Sequence, residues 1–323
     1  MTRVFINGFG RIGRTVLRAW AQGAAPGIDI VGLNDLAAPE TCAYLFEYDS
    51  IFGPYRGTVM LTDGALEIDG RKIPLHTTKN ISTLDLSNVD VVMECTGHAK
   101  TRDFAAHGLT AGAKRVLISG PSDVADATIV LGANDATLGN QPIISNASCT
   151  TNALAPLVKL IDEHWGLKTG WMTTIHCYTS SQPTIDQPRA ELSRSRAASL
   201  SMVPTTTSAH HLLDQVLPDL AGRVEAAAVR VPVASVSAVD LTVLVDADVT
   251  RDAVNAVFAA QSGIIGATDK PLVSTDLRAR PESLVTALPE TRLTKGGLLR
   301  VFGWYDNEWG FSHRMLDMAA RMG

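Results

Sequence analysis

Cys149 closes the run Ser145-Asn146-Ala147-Ser148-Cys149 and opens Thr150-Thr151-Asn152. An apolar strand-like stretch, Pro142-Ile143-Ile144, precedes it, and Leu154, Leu157, Val158, Leu160 and Ile161 follow at helical spacing. This pattern puts the thiol at a helix N-terminus, where the dipole favours a thiolate and is expected to lower the thiol pKa. A second strand-like run, Trp171-Met172-Thr173-Thr174-Ile175, delivers His176. A cysteine beside a histidine base is a nucleophile for a carbonyl carbon. Taken alone, one Cys and one His are a modest signal, because most such cysteines are inert core residues.

A second constellation lies at the start of the chain. Gly8-Phe9-Gly10-Arg11-Ile12-Gly13 falls where an apolar run, Val4-Phe5-Ile6, hands over to a segment with Ile12, Val16, Leu17 and Trp20 on one helical face. Gly8 permits the tight turn, Gly10 admits a pyrophosphate to the backbone, and Gly13 lets helix and strand pack closely. The helix N-terminus offers its free N–H groups to phosphates. Asp35 follows the second strand-like run, about 20 residues past the turn, where a carboxylate accepts both ribose hydroxyls of an adenosine. A 2′-phosphate would be repelled there, so NAD is the expected cofactor rather than NADP. Thr96-Gly97 and Ser119 stand at the carboxyl ends of further strands, where dinucleotides lie.

The elements that must position these residues fall into two patterns. Up to about residue 150, short apolar runs (4–6, 29–33, 89–93, 114–118, 128–131) alternate with helical segments at about 11–22 and 100–111. Strands apolar on both faces and alternating with helices predict an α/β, Rossmann-type doubly wound parallel sheet. Beyond it, longer alternating runs at 226–231, 236–245 and 298–304 predict an α+β catalytic domain with a mostly antiparallel sheet, one face open to a partner. Residues 178–207, rich in Ser, Thr, Pro and Arg, read as a long functional loop. The expected organisation is an NAD-binding domain over 1–148, with a C-terminal helix at about 311–323 packing back on it, and a catalytic and oligomerisation domain over 149–310.

Composition bounds the partners. A net charge of -5 with no block of like charge argues against nucleic acid or an anionic membrane. No apolar run approaches the roughly 18 residues of a membrane span, and the first residues lack a signal-peptide pattern. Cys42, Cys95, Cys149 and Cys177 have no metal-ligand or disulfide spacing, and His210-His211 lacks further ligands. No metal is expected, and a cytoplasmic setting is. Cys42, Cys95 and Cys177 read as structural, Cys177 pointing away from the His176 face.

Four motifs together carry a resemblance: Ile6-Asn7-Gly8-Phe9-Gly10-Arg11-Ile12-Gly13-Arg14, Ser145 to Asn152, Thr173-Thr174-Ile175-His176, and Trp304-Tyr305-Asp306-Asn307-Glu308-Trp309-Gly310. In this order, over nearly the whole chain, they resemble the glyceraldehyde-3-phosphate dehydrogenase family. The resemblance implies a homotetramer whose substrates are a phosphorylated aldehyde and inorganic phosphate. Cys149 attacks the aldehyde, His176 removes the proton of the thiohemiacetal, and phosphate cleaves the resulting thioester. It further implies cofactor contacts from Asn7, Gly8, Gly10, Arg11, Ile12, Asn34, Asp35, Thr96, Gly97 and Ser119, with Asn307 holding the nicotinamide carboxamide. By the same resemblance, Thr179 and Arg230, with Arg194 nearby, meet the substrate phosphate. Ser148, Thr150, Thr207 and the Ser208 backbone meet the attacking phosphate. Arg230 also stands out by itself: a guanidinium inside an apolar strand run needs an anion or a structural carboxylate.

The chain departs from the family pattern at Ala153, where a second cysteine is usual, and at Ser180-Ser181, which replace Asn-Asp. Ser208 stands where a glycine is usual, and Gln187-Pro188 where Leu-Pro is frequent. Two other readings use the same motifs: an erythrose-4-phosphate dehydrogenase, whose acyl-enzyme goes to water, and a non-catalytic NAD-binding protein. Tyr178-Thr179 and Thr205-Thr206-Thr207 look more like the glyceraldehyde enzyme, and the intact Cys149-His176 pair speaks against a non-catalytic scaffold.

Overall fold

In a computed structural model describing residues 1–323, β1 (Thr2–Asn7) buries Val4, Phe5 and Ile6 on both faces. A strand can do this only inside a covered sheet, and β1 pairs in parallel with β2 (Ile28–Asn34) on one side. Between them α1 (Arg11–Ala21) lays Val16, Leu17 and Trp20 against the sheet. After α2 (Pro39–Glu47) comes a feature that periodicity did not announce, the short antiparallel strands β3 (Val59–Thr62), β4 (Ala65–Ile68) and β5 (Arg71–His76).

Across β1 from β2 lies β6 (Val91–Glu94), followed by α3 (Arg102–Ala105), α4 (His107–Thr110) and β7 (Arg115–Ile118). The helix expected over 100–111 is thus two short pieces. Gly108 sits there against Val92 and Val116, where a Cβ would come within 2.9 Å, so close packing on the sheet takes precedence over a continuous helix. The expected strand over 128–131 shrinks to β8 (Ala127–Thr128), which pairs only with β9 (Ile143–Ser145). Val130 and Leu131 are buried without ladder partners, and the chain turns at Gly132, at φ 81°. The sheet order is β3-β4-β5-β2-β1-β6-β7-β9-β8, parallel from β5 onward.

The contacts gather Met1–Ile129, Ala136–Ala147 and Ser312–Gly323 into one unit and Val130–Asp135 with Ser148–Phe311 into another. The first helix of the second is α5 (Cys149–Trp165), capped by Ser148, whose Oγ accepts from the Thr151 N–H. Then follow β10 (Leu167–Cys177), β11 (Val203–Thr205), α6 (Ala209–Val216), β12 (Val224–Val231), β13 (Ser237–Val245), α7 (Arg251–Ala259), β14 (Ile265–Thr268), β15 (Leu284–Ala287), β16 (Arg292–Leu293) and β17 (Leu299–Tyr305). The chain ends with α8 (Trp309–Met322). The order is β11-β12-β10-β13-β17-β15-β14, with β16 beside β17; β10–β12 and β14–β15 are parallel and the remaining pairs antiparallel. Both fold expectations, a doubly wound parallel sheet and a mostly antiparallel one, are met.

The period of two along β10 decides what faces inward. Met172, Thr174 and His176 are buried, while Trp171 and Ile175 are exposed. The long loop after β10 is largely irregular, as its composition predicts, apart from one 3₁₀ turn (Ser193–Ser195) and β11.

Candidate functional site

The glycine turn after β1 forms one wall of a cleft of about 260 Å³ lined by Gly8, Gly10, Asn34, Asp35, Thr96 and His98, among others. The three glycines do different things. Gly8 has φ 94°, and a Cβ there would lie 2.6 Å from the Thr96 nitrogen. At Gly13 a Cβ would lie 2.1 Å from the Gly8 carbonyl oxygen, so helix and strand meet only without one. A Cβ on Gly10 would meet nothing within 4 Å, which leaves the approach to that backbone open. Gly10 also caps α1 without a side chain, so the first N–H groups of the helix remain available to a phosphate. These features fit a dinucleotide.

Asp35 is held at the rim. Its Oδ2 accepts from the Phe9 N–H at 2.7 Å and its Oδ1 from the Ala37 N–H at 2.9 Å. A carboxylate has about four acceptor positions, so two remain for ribose hydroxyls.

Other cofactor candidates are already engaged through their side chains. Asn34 donates to Asn7 Oδ1 (2.8 Å), and Asn7 donates to Glu94 Oε2 (2.6 Å). Thr96 gives both its N–H and its hydroxyl to Glu94 Oε1, and the Ser119 N–H goes to the Glu94 carbonyl. The Arg11 guanidinium pairs with Asp49 and lies over the Phe52 ring, so this side chain is turned to its own unit. Gly97 adopts φ 72° just beyond Thr96. Glu94, which the sequence reading passed over, ties the carboxyl ends of β1 and β6 to this rim. Burial pushes its carboxyl above the usual carboxylate range, against the hydrogen bonds from Thr96 and Asn7. Its only sequence signal is an acid closing the apolar run Val91-Val92-Met93.

The second constellation lies wholly in the second unit. The start of α5 and the end of β10 bring Cys149 Sγ to 3.7 Å from His176 Nε2. His176 Nδ1 lies 2.7 Å from the Cys177 carbonyl oxygen. A carbonyl only accepts, so this shorter contact takes the hydrogen on Nδ1 and leaves the Nε2 lone pair for the sulfur; Arg230 Nη1, also a donor, then lies beside Nδ1 without a hydrogen bond to it. Burial, and then the charge of Arg230, push His176 down to about 4. A neutral imidazole, ready to take a proton, therefore sits beside the thiol.

The thiol itself corrects the sequence reading. Desolvation around the sulfur outweighs everything else and raises Cys149 above an ordinary thiol. The expected lowering influences are all present but smaller: the charge of Arg230, the Thr150 hydroxyl, and backbone N–H groups at the start of the helix.

Arg230 Nη1 donates to the Cys177 carbonyl at 3.0 Å and to Thr179 Oγ1 at 3.4 Å, and lies 2.9 Å from His176 Nδ1. Its Nε is buried without a partner, and its Nη1 contacts are to an imidazole, a carbonyl and a hydroxyl rather than to a carboxylate. The structural ion pair that sequence alone left open is thus not formed. A half-buried guanidinium with an unfilled donor fits an incoming anion.

Residues 2–102 of the chain match the NAD binding domain of glyceraldehyde 3-phosphate dehydrogenase, and residues 148–307 match the C-terminal domain of the same enzyme. Glyceraldehyde-3-phosphate dehydrogenase of Xanthobacter flavus is 45% identical over 329 residues, spanning 99% of this chain and 98% of its own length. The enzyme of Cereibacter sphaeroides is 45% identical over 327 residues and that of Zymomonas mobilis 44% over 331, each with 99% of this chain and 98% of the relative covered. The chain belongs to the glyceraldehyde-3-phosphate dehydrogenase family. Membership makes it an oxidoreductase that uses NAD.

The remaining residues that the family resemblance singles out are placed as follows. Ser148 and Thr150 stand at the start of α5 beside Cys149. Thr179 is hydrogen-bonded to Ser181 as well as to Arg230. Arg194 is held inside its own loop by Thr205 Oγ1 (2.7 Å), the Thr206 carbonyl and Glu191, though its charge is felt at Arg230. Thr207 accepts from the Ala209 N–H, and Ser208 is the exposed N-cap of α6 with an uncommitted hydroxyl. At φ -76° Ser208 needs none of glycine's freedom, which explains how a side chain is tolerated there.

Cys177 is buried as expected, but it is not inert packing. Its thiol donates to Asn307 Oδ1 at 3.1 Å, which turns that amide. Tyr305 was also passed over: its hydroxyl lies 2.9 Å from Thr150 Oγ1 and 2.8 Å from Thr174 Oγ1.

Proposed function

We propose that the chain oxidises D-glyceraldehyde 3-phosphate to 1,3-bisphosphoglycerate through a thioester on Cys149. The observation that carries this reading is the Cys149–His176 pair at 3.7 Å beside Arg230, whose contacts include no carboxylate, in a chain of this family. The Cys149 sulfur bonds to the aldehyde carbon and the thiol proton passes to the aldehyde oxygen, giving a thiohemiacetal. His176 Nε2 takes the proton of its hydroxyl as the C–H bond of the same carbon breaks and its hydrogen leaves with the electron pair, which turns the thiohemiacetal into a thioester. NAD, when bound, supplies the electron acceptor for that oxidation. The resulting imidazolium and the Cys149 N–H then stabilise the oxyanion as phosphate attacks the thioester and the thiolate leaves. Attack by phosphate retains in the product the oxidation energy that hydrolysis would dissipate.

Thr179 and Arg230 are the expected ligands of the substrate phosphate, with Arg194 adding charge. Ser148, Thr150, Thr207 and the Ser208 backbone are expected to receive the attacking phosphate. Asn7, Gly8, Gly10, Arg11, Ile12, Asn34, Asp35, Thr96, Gly97 and Ser119 are assigned to the cofactor, and Asn307 to its carboxamide. The chain is inferred to act as a homotetramer in the cytoplasm. Exposed Trp171, Ile185, Leu192, Leu200 and Met202 support apolar contact with further copies, and four free cysteines suit a reducing compartment.

The test is steady-state NADH formation from glyceraldehyde 3-phosphate and NAD, with and without phosphate. Turnover that requires phosphate and vanishes in Cys149→Ser is expected. Equal turnover without phosphate would assign the acyl group to water, and no turnover with this aldehyde would reject the substrate.

A further inference from the structure

Asn34, Asn7 and Glu94 end the three neighbouring parallel strands β2, β1 and β6, and all three side chains are buried. They form one chain of hydrogen bonds. Asn34 Nδ2 donates to Asn7 Oδ1 at 2.8 Å, and Asn7 Nδ2 donates to Glu94 Oε2 at 2.6 Å. Backbone groups stand at both ends. The Thr78 N–H donates to Asn34 Oδ1 and the Thr78 carbonyl accepts from Asn34 Nδ2, each at 3.0 Å. At the other end Glu94 Oε1 accepts the Thr96 N–H at 2.9 Å and the Thr96 hydroxyl, whose own oxygen accepts from the His98 N–H.

An N–H only donates and a carbonyl only accepts, so the backbone fixes every member between. Asn34 keeps its oxygen on the Thr78 N–H, and its Nδ2 gives one hydrogen to the Thr78 carbonyl and the other to Asn7. Asn7 must meet that hydrogen with its oxygen, which turns its own Nδ2 to Glu94. Glu94 thus faces donors at both oxygens. The ionised form takes all three hydrogens, whereas a protonated one would leave the Asn7 amide or the Thr96 hydroxyl without an acceptor. Burial works against the charge, and the three donors oppose burial.

We propose that Glu94 is a positioning residue for the cofactor, a buried carboxylate that fixes the Asn7 and Asn34 amides and, through them, the Thr78 edge of the cleft. Thr78 and Lys79 line that cleft together with Asn34 and Asp35, and the Asp35 N–H is tied to the His76 carbonyl. The network therefore holds the rim where Asp35 is expected to meet the adenosine ribose, which rests on the reading of this cleft as the one for NAD. The backbone surface of the cleft is set by side chains buried beneath it.

The experiment is titration calorimetry of NAD and of ADP-ribose with the full-length protein, alongside NAD KM and kcat. Glu94→Gln keeps the shape but must turn its NH2 toward Asn7 Nδ2 or the Thr96 N–H, donor against donor either way. Affinity for both ligands is expected to fall about tenfold, with the loss in NAD KM rather than in kcat. Asn7→Asp alone sets two carboxylates against each other and should lose at least as much. The double variant Asn7→Asp/Glu94→Gln restores every donor–acceptor pair with the charge moved one member along, and should bind both ligands within about threefold of the unaltered protein. Unchanged affinities in Glu94→Gln, a fall in kcat with NAD KM unmoved, or a double variant that binds no better than Glu94→Gln would each overturn the inference. If a single variant does not fold, recovery of folding and binding in the double variant decides alone. Failure of the underlying reading looks different: Asp35→Ala would then leave NAD affinity unmoved as well.

Discussion

The cleft behind the glycine turn and the pocket around Cys149 are built from different materials. The cleft is made of backbone: positive φ at Gly8, a helix start without a side-chain cap, and glycines wherever a Cβ would collide. The pocket is made of side chains, in which a thiol, an imidazole, a guanidinium and three hydroxyls hold one another in register. A backbone site is specified by local spacing and tolerates change among its side chains. A side-chain site is specified by long-range packing, and each member sets the protonation or orientation of the next.

The sharpest way to break this comparison is at Gly13. Gly13→Ala forces a Cβ against the Gly8 carbonyl and is expected to cost at least about 3 kcal/mol, measured by denaturant unfolding. An unaltered midpoint would show that the turn is not held by close packing.

His176 gives the next effect, and its sign follows from burial. Its ordinary value is 6.5 and the fold pushes it down to about 4, so the unfolded chain binds a proton that the native state refuses. Stability conferred by the neutral imidazole is complete above pH 6.5 and is lost as pH falls toward 4, by about 3 kcal/mol in all. Replacing His176 by Asn should flatten that stretch of the stability–pH curve. An unchanged slope would mean that the imidazole charges freely in the folded protein.

Gly10→Ala should have the smallest effect on stability, since its Cβ meets nothing within 4 Å. Its unfolding midpoint is expected to stay within about 0.5 kcal/mol, while NAD affinity, measured by titration calorimetry, falls about tenfold or more. Equal losses in both would erase the distinction between a glycine that serves packing and one that serves a ligand.

The same contrast explains what the sequence made legible. The turn at residues 8–13, the alternation of short strands and helices, and the placing of Cys149 at a helix start all follow from patterns spanning fewer than about 20 residues. The period of two in Trp171–Ile175 likewise puts His176 on the inner face. By contrast, Tyr305 reaches Thr150 across 155 positions of chain and Thr174 across 131. Glu94 reaches Asn7 across 87. No local pattern encodes such pairings. The thiol was misjudged for a related reason: a helix start is visible in sequence, but the desolvation that outweighs it depends on what the fold packs around the sulfur. The broken helix at 102–110 and the β3–β5 strands were missed where tertiary packing overrides short-range propensity.

The central claim is that oxidation passes through an acyl group on Cys149, and intact-mass spectrometry tests it most directly. The protein is mixed with NAD and glyceraldehyde 3-phosphate in the absence of phosphate, then quenched in acid. The account predicts one acyl adduct per chain, mapped to Cys149 by proteolysis, one NADH per chain, and loss of the adduct on adding phosphate. NADH formation with no adduct, or an adduct on any other residue, would contradict it.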